Sequence, residues 1–299
     1  MLRLLIILAM SLSVLACQNQ RTLDLDALAG QARGGDVSAG RELVQLFATA
    51  PPDVKDRVYQ IVIESGEVVV EPLLENVLSA DTEQRERVIA ALGTLKVQQA
   101  VPSIIAVLAD SNYPRRYVAA WALGEIGQPD GIPALIRALD DDVQLVRRYA
   151  TSSLIKFNQS AVDPLVVALD TASERAATGI IRVLGDIGDR RALEPLLKRI
   201  DGPVRSEVFL ALGKLRDPRA EQALITGLSD PDWQVRMNAA MAIGPVGGSL
   251  SEAPLRRALE DEVMVVREWS ARSLSTITGH AVNFRDASGE MVAPYMVYH

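Results

Sequence analysis

The chain is poor in the side chains that most enzymes use to make and break bonds. Its 299 residues include one cysteine and two histidines. Cys17 lies near the N-terminus, and His280 and His299 lie near the C-terminus. That leaves no Cys–His arrangement for nucleophilic catalysis, and no Gly-x-Ser-x-Gly elbow occurs either. Acidic residues are scattered through loops with no histidine to complete a two-histidine, one-carboxylate metal set. A lone cysteine also excludes disulfides within the chain. Aromatic residues make up 4% of the sequence while hydrophobic residues make up 48%, so the core has to be built from Leu, Ala, Val and Ile. Positive charge is scarce too: 31 Lys and Arg face 38 Asp and Glu, for a net charge of −7. That balance argues against a nucleic-acid partner, which needs a basic face to neutralise phosphates. After residue 17 no apolar run is long enough to span a bilayer.

What is present begins with residues that read as an export signal. Met1-Leu2-Arg3 supplies a short positive start, and Leu4 to Leu15 an apolar stretch too short for a mature membrane span. It ends in Val14-Leu15-Ala16-Cys17, which resembles the lipobox of bacterial lipoproteins, although Leu15 replaces the usual small residue. The resemblance implies a signal peptide over residues 1–16 and an acylated (palmitate-bearing) Cys17 as the mature N-terminus. A polar tether over 17–36 would follow. Acyl chains on one residue hold a protein stably at a membrane because each buried methylene contributes roughly 0.8 kcal/mol. Gln18, where an aspartate would favour inner-membrane retention, implies delivery to the outer membrane facing the periplasm.

The rest of the chain repeats. Pro72, Pro102, Pro133, Pro164 and Pro195 recur at intervals of 30 or 31 residues, and Pro254 rejoins the series after Ala223 fills one slot. Arg85, Arg116, Arg147, Arg205, Arg236 and Arg267 keep the same period, with Ala177 in the empty slot. Eight residues after each arginine slot comes Gly93, Gly124, Gly185, Gly213 or Gly244, with Ile155 and Ser275 as exceptions. Such a period predicts an all-α, right-handed α-solenoid of helical hairpins, with proline in the first turn of each first helix and arginine opening each second helix. The glycine is expected near the end of the second helix, as a left-handed cap. Segments such as Val235-Arg236-Met237-Asn238-Ala239-Ala240-Met241-Ala242-Ile243-Gly244 resemble the HEAT-like repeat of phycobilisome lyases. Seven units are expected over 66–279, after an N-terminal capping hairpin at 37–65 and before a C-terminal tail at 280–299. Residues Tyr295 to Tyr298 of that tail are expected to fold back on the last unit. The unit at 160–188 departs from the pattern with a shortened loop, the next unit at 189–216 is shortened too, and the paired shortening predicts a local bend.

Candidate chemistry is weighed against this scaffold. Asp110, Asp141, Asp230 and Asp261 each precede an arginine slot by six residues, a spacing expected to give a stacking ladder of ion pairs rather than an anion-binding groove. Deoxyhypusine hydroxylase, an enzyme of the same repeats, holds two irons through His-Glu pairs that this chain lacks. Attachment of a bilin to a thiol, the lyase activity, fits an exported lipoprotein poorly. No metal, cofactor or catalytic residue is therefore expected.

The face of the second helices remains, at positions +1 and +5 from the arginine slot. There Tyr117, Trp121, Leu210, Met237 and Met241 are apolar among polar residues such as Arg148, Ser152, Thr178 and Arg182. Aromatic residues and Met are enriched at interfaces. The sequence thus predicts a non-enzymatic, membrane-anchored scaffold that binds another envelope protein or an extended peptide through those five residues. The alternative is an accessory or catalytic component acting on a cofactor or envelope polymer, and a third possibility is a mechanical spacer.

Overall fold

A computed structural model describes residues 24–295. The signal peptide and Cys17, and Met296, Val297 and Tyr298 of the tail, lie outside the described residues. The chain divides into two compact units, residues 1–91 and 92–299.

In the first unit, α1 (Leu25–Arg33), α2 (Val37–Thr49), α3 (Pro52–Glu64) and α4 (Val70–Asn76) precede the start of α5 (Thr82–Thr94). Asp24 and Asp36 cap α1 and α2 by accepting backbone N–H groups, at 3.0 Å from Ala27 and 2.8 Å from Ser38. Pro52 opens α3, where its missing N–H has no partner to lose. Leu43, Val44, Phe47, Val58, Val62 and Leu73 fill the core. Lys55 is buried with its ammonium 2.7 Å from Glu83, a charge that stays inside because it is paired.

The second unit stacks six hairpins, each a first helix followed by a second. The first helices are α6 (Val101–Ala109), α8 (Ile132–Ala138), α10 (Gln159–Leu169), α12 (Leu193–Leu197), α14 (Glu221–Gly227) and α16 (Glu252–Ala258). The second helices are α7 (Tyr117–Ile126), α9 (Gln144–Phe157), α11 (Glu174–Ile187), α13 (Arg205–Leu215), α15 (Trp233–Val246) and α17 (Met264–Thr278). This is the expected all-α α-solenoid. Leu123, Leu135, Leu154, Leu184, Leu212, Leu224, Leu255 and Leu274 are fully buried, each contributing on the order of 2 kcal/mol by leaving water.

The tail is not simply extended. Phe284–Arg285 (β1) pairs antiparallel with Met291–Val292 (β2). Phe284 is buried, and the Asp286 carboxylate closes the turn by accepting from the Ser288 and Glu290 backbone N–H groups at 2.8 and 3.0 Å. Tyr295, expected to fold back, is instead 74% exposed. The residue that covers the last repeat is Phe284, which alternates inward in the hairpin.

Candidate functional site

Successive second helices pack directly against one another, and small residues allow it. A Cβ added to Gly185 would stand 2.9 Å from Cα of Ala211, and one on Gly213 would stand 2.7 Å from Cα of Ala242. Gly93 faces Ala122, Gly124 faces Ser153 and Gly244 faces Ser273 in the same way. The glycine eight residues past each arginine slot therefore meets the small residue six past the next slot. It is a contact point inside the helix, which corrects its reading as a cap. The left-handed caps come three residues later, at Gly127 and Gly188, and at Arg216 and Lys96 without glycine.

Arginine and aspartate form the second set of rungs. Arg116 holds Asp141 with Nη2 2.8 and 2.9 Å from its two carboxylate oxygens. Arg205 holds Asp230 at 2.9 Å and Arg236 holds Asp261 at 2.7 Å. In each case the carboxylate belongs to the next hairpin and also accepts a backbone N–H of its own loop, at 2.8 Å. The hydrogen bond from Arg205 is the main cause of the lowered Asp230 pKa. Arg236 and Asp261 are each 10% exposed at their side chains, so both ends of this ion pair are shielded from screening. The ladder is structural, as its recurrence predicts.

One rung is different. Between α9 and α11 the glycine is Ile155, its small partner is Val183, and the carboxylate slot that should face Arg147 is Thr171. These two helices pack less closely than the pairs α7–α9, α11–α13, α13–α15 and α15–α17. A groove of about 450 Å³ lies along them, lined by Gln144, Arg147, Arg148, Thr151 and Ser152 from α9 and by Arg175, Thr178, Gly179 and Arg182 from α11. Its volume is in the range of small-molecule sites. Arg175 is tied to Asp142 at 2.8 Å, and that hydrogen bond raises its pKa above the ordinary guanidinium value. The Tyr117 and Tyr149 rings stack with centroids 5.6 Å apart, and the Arg148 guanidinium lies 5.4 Å from the Tyr149 ring centre.

The five apolar residues predicted for partner binding are all half-buried. Tyr117 lies against Tyr149, and the Trp121 ring lies over Gly93. Leu210 lines a cavity of about 80 Å³ together with Arg182 and Asn238. Met237 and Met241 lie on α15, away from the residues that line the larger groove. The structure therefore does not gather the five into one patch. The groove instead gathers Arg148, Ser152, Thr178 and Arg182, which occupy the same +1 and +5 positions and were passed over as ordinary polar surface. The available signal was that three departures from the repeat (Ile155, Thr171 and Val183) fall on one rung.

The family follows from these rungs. A model of HEAT repeats matches residues 70–155 and 201–275, more than half of the chain, and a model of the PBS lyase HEAT-like repeat matches residues 178–202. The chain belongs to the HEAT-repeat family. A bilin biosynthesis protein, PecF of Nostoc sp., is 31% identical over 165 residues, which is 49% of this chain and 95% of the relative. Phycocyanobilin lyase subunit alpha of Pseudanabaena tenuis is 28% identical over 206 residues, or 60% of this chain and 76% of the relative. Among solved structures, the complex of CpcE and CpcF of phycocyanin lyase from Nostoc sp. covers 68% of this chain and 86% of its own, at 24% identity and a TM-score of 0.37.

These relatives overturn three expectations. The chain was expected to be a non-catalytic scaffold, to have no enzymatic role, and to bind an envelope protein or extended peptide. Its relatives are named for bilin biosynthesis and as lyase subunits. The expectations failed because they rested on missing histidines, thiols and carboxylate clusters. A protein that handles a reactive cofactor supplies binding, orientation and charge, so missing nucleophiles and metal ligands do not exclude that role.

Proposed function

We propose that the chain acts on a bilin-type, open-chain tetrapyrrole as a catalytic or accessory component of the bilin-lyase kind. The match to the bilin biosynthesis protein over 95% of that relative carries the reading. The groove between α9 and α11 supports it with a volume of about 450 Å³ and cationic walls, a setting suited to a flat ligand bearing carboxylates. Cys17 is the chain's one thiol and the expected acylation point, so a thiol that accepts the bilin belongs to another protein. A lyase-type partner subunit or acceptor protein replaces the envelope scaffold partner.

The test is titration of the protein with phycocyanobilin, followed by visible absorption and induced circular dichroism. A saturable red shift with induced ellipticity, weakened in Arg148→Gln and Arg182→Gln, is the expected result. A spectrum identical to that of the free bilin at all protein concentrations sinks the reading.

Localisation is a separate proposal. The Leu15-Ala16-Cys17 junction supports acylation of Cys17 and residence in the bacterial cell envelope, at the outer membrane. Among the described residues no helix is long and apolar enough to cross a membrane. Labelled palmitate incorporated into the wild type and absent from Cys17→Ala is the expected outcome, and an unlabelled wild type refutes it.

A further inference from the structure

In three regular rungs the guanidinium is consumed by the carboxylate of the next hairpin. The pairs Arg116–Asp141, Arg205–Asp230 and Arg236–Asp261 are separated by 25 residues each. Arg147 cannot make that pair, because neither Thr171, six residues before the next arginine slot, nor Ala172, 25 residues on, is a carboxylate. Its Nη1 donates to the carbonyls of Asp141 and Asp142 at 2.6 and 3.0 Å, and among the described residues no carboxylate pairs with it. None pairs with Arg148 or Arg182 either; Arg148 has the Tyr149 ring as its neighbour. The groove lining contains four arginines and no carboxylate, in a chain whose net charge is −7. Like charges placed together at the wall of a groove repel one another and raise the potential inside it.

We infer that this broken rung is an oxyanion-binding site, taking a small polyanion that carries two carboxylate or phosphate groups. The guanidinium fork matches both groups bidentately. The carboxylate missing from the ladder is supplied by the ligand, which completes Arg147 as Asp141 completes Arg116. Arg148 and Arg182 sit on facing helices and engage the second anionic group. Ile155 and Val183 stand where the other rungs bring glycine and a small residue together, and their bulk keeps the site open. The site is the groove assigned above to the bilin and deepens that reading. Its probes contain no tetrapyrrole, so failure of the anion site and failure of the bilin reading are told apart.

The test uses the full chain at low ionic strength, with inorganic pyrophosphate and glutarate as separate calorimetric probes. At least one should bind saturably, with affinity lowered tenfold or more in Arg182→Gln and in Arg148→Gln. Pyrophosphate binding alone assigns the site to phosphates, and glutarate binding alone to paired carboxylates. Thr171→Asp should also lower affinity at least tenfold without reducing the thermal midpoint, because the new carboxylate reclaims Arg147. Absence of binding by both probes overturns the inference. So does binding that all three variants retain at wild-type affinity, since the anions would then sit elsewhere on the surface.

Discussion

The rungs α13–α15 and α15–α17 and the rung α9–α11 are built to one plan and end in opposite states. In the first two, glycine meets a small residue and arginine meets aspartate, so backbone approach and charge are both satisfied within the protein. In the third, Ile155 and Val183 remove the close approach and Thr171 removes the carboxylate. The outcome is a groove with unpaired cations rather than an unfolded segment, because Leu154, Leu165, Ile180, Ile181 and Leu184 remain fully buried beneath it. In a solenoid each unit depends on its neighbours alone, so one loosened rung costs the rest of the stack little.

The largest effect expected from breaking this contrast is at Arg236. Arg236→Ala strands Asp261 in a shielded site and should lower stability by about 3 kcal/mol. Arg147→Ala, which loses only bonds to carbonyls, should cost about 1 kcal/mol. Urea unfolding of the two variants measures the difference directly. Gly213→Ala comes next: its Cβ would meet Ala242 backbone at 2.7 Å, and overpacking of this kind costs about 2 kcal/mol. Ile155→Ala, at the same position of the open rung, should be tolerated to within about 1 kcal/mol.

A pH effect should also localise to the regular part. Asp217 is 2% exposed, and its carboxylate accepts from the Arg219 guanidinium at 2.8 Å. Chiefly through that bond its pKa is lowered to about 2, against an ordinary value near 4. A carboxylate with a depressed folded-state pKa stabilises above the ordinary value and loses that contribution as pH falls through the depressed one. Thermal midpoints should therefore drop more steeply between about pH 4 and pH 2 in the wild type than in Asp217→Asn. The smallest change is Thr171→Asp, which repairs the rung and should raise stability by no more than about 1 kcal/mol.

Much of the scaffold was legible because its signals are local. Proline, arginine and glycine recur at fixed spacings, and spacing alone separates first helices from second ones. The partners of those residues were less legible. Gly213 is spaced like a cap, and nothing in its own neighbourhood shows that Ala242 will lie against it. The site was harder still. Tyr117, Trp121 and Met241 stood out as apolar residues on a polar face, yet each is half-buried in the array. Arg148 and Arg182 looked ordinary, since an unpaired arginine is recognisable only when the carboxylate that should meet it is known to be missing. That carboxylate would have come from position 171, far along the chain and in a different hairpin.

The C-terminal hairpin has a consequence for how such an array changes length. Arg267 is the last arginine of the series, and its guanidinium goes to the carbonyls of Arg285 and Asp286, at 2.7 and 3.3 Å. Duplicated units propagate when each copy offers an arginine to one neighbour and an aspartate to the other. A copy inserted upstream finds both, and leaves the hairpin in place. A copy appended after Gly279 has to evict the hairpin before Arg267 can receive it. The same occupancy takes up the Arg267 guanidinium that a head-to-tail neighbour would otherwise use. An added copy is therefore accommodated with fewer broken contacts upstream of Arg267 than directly after it.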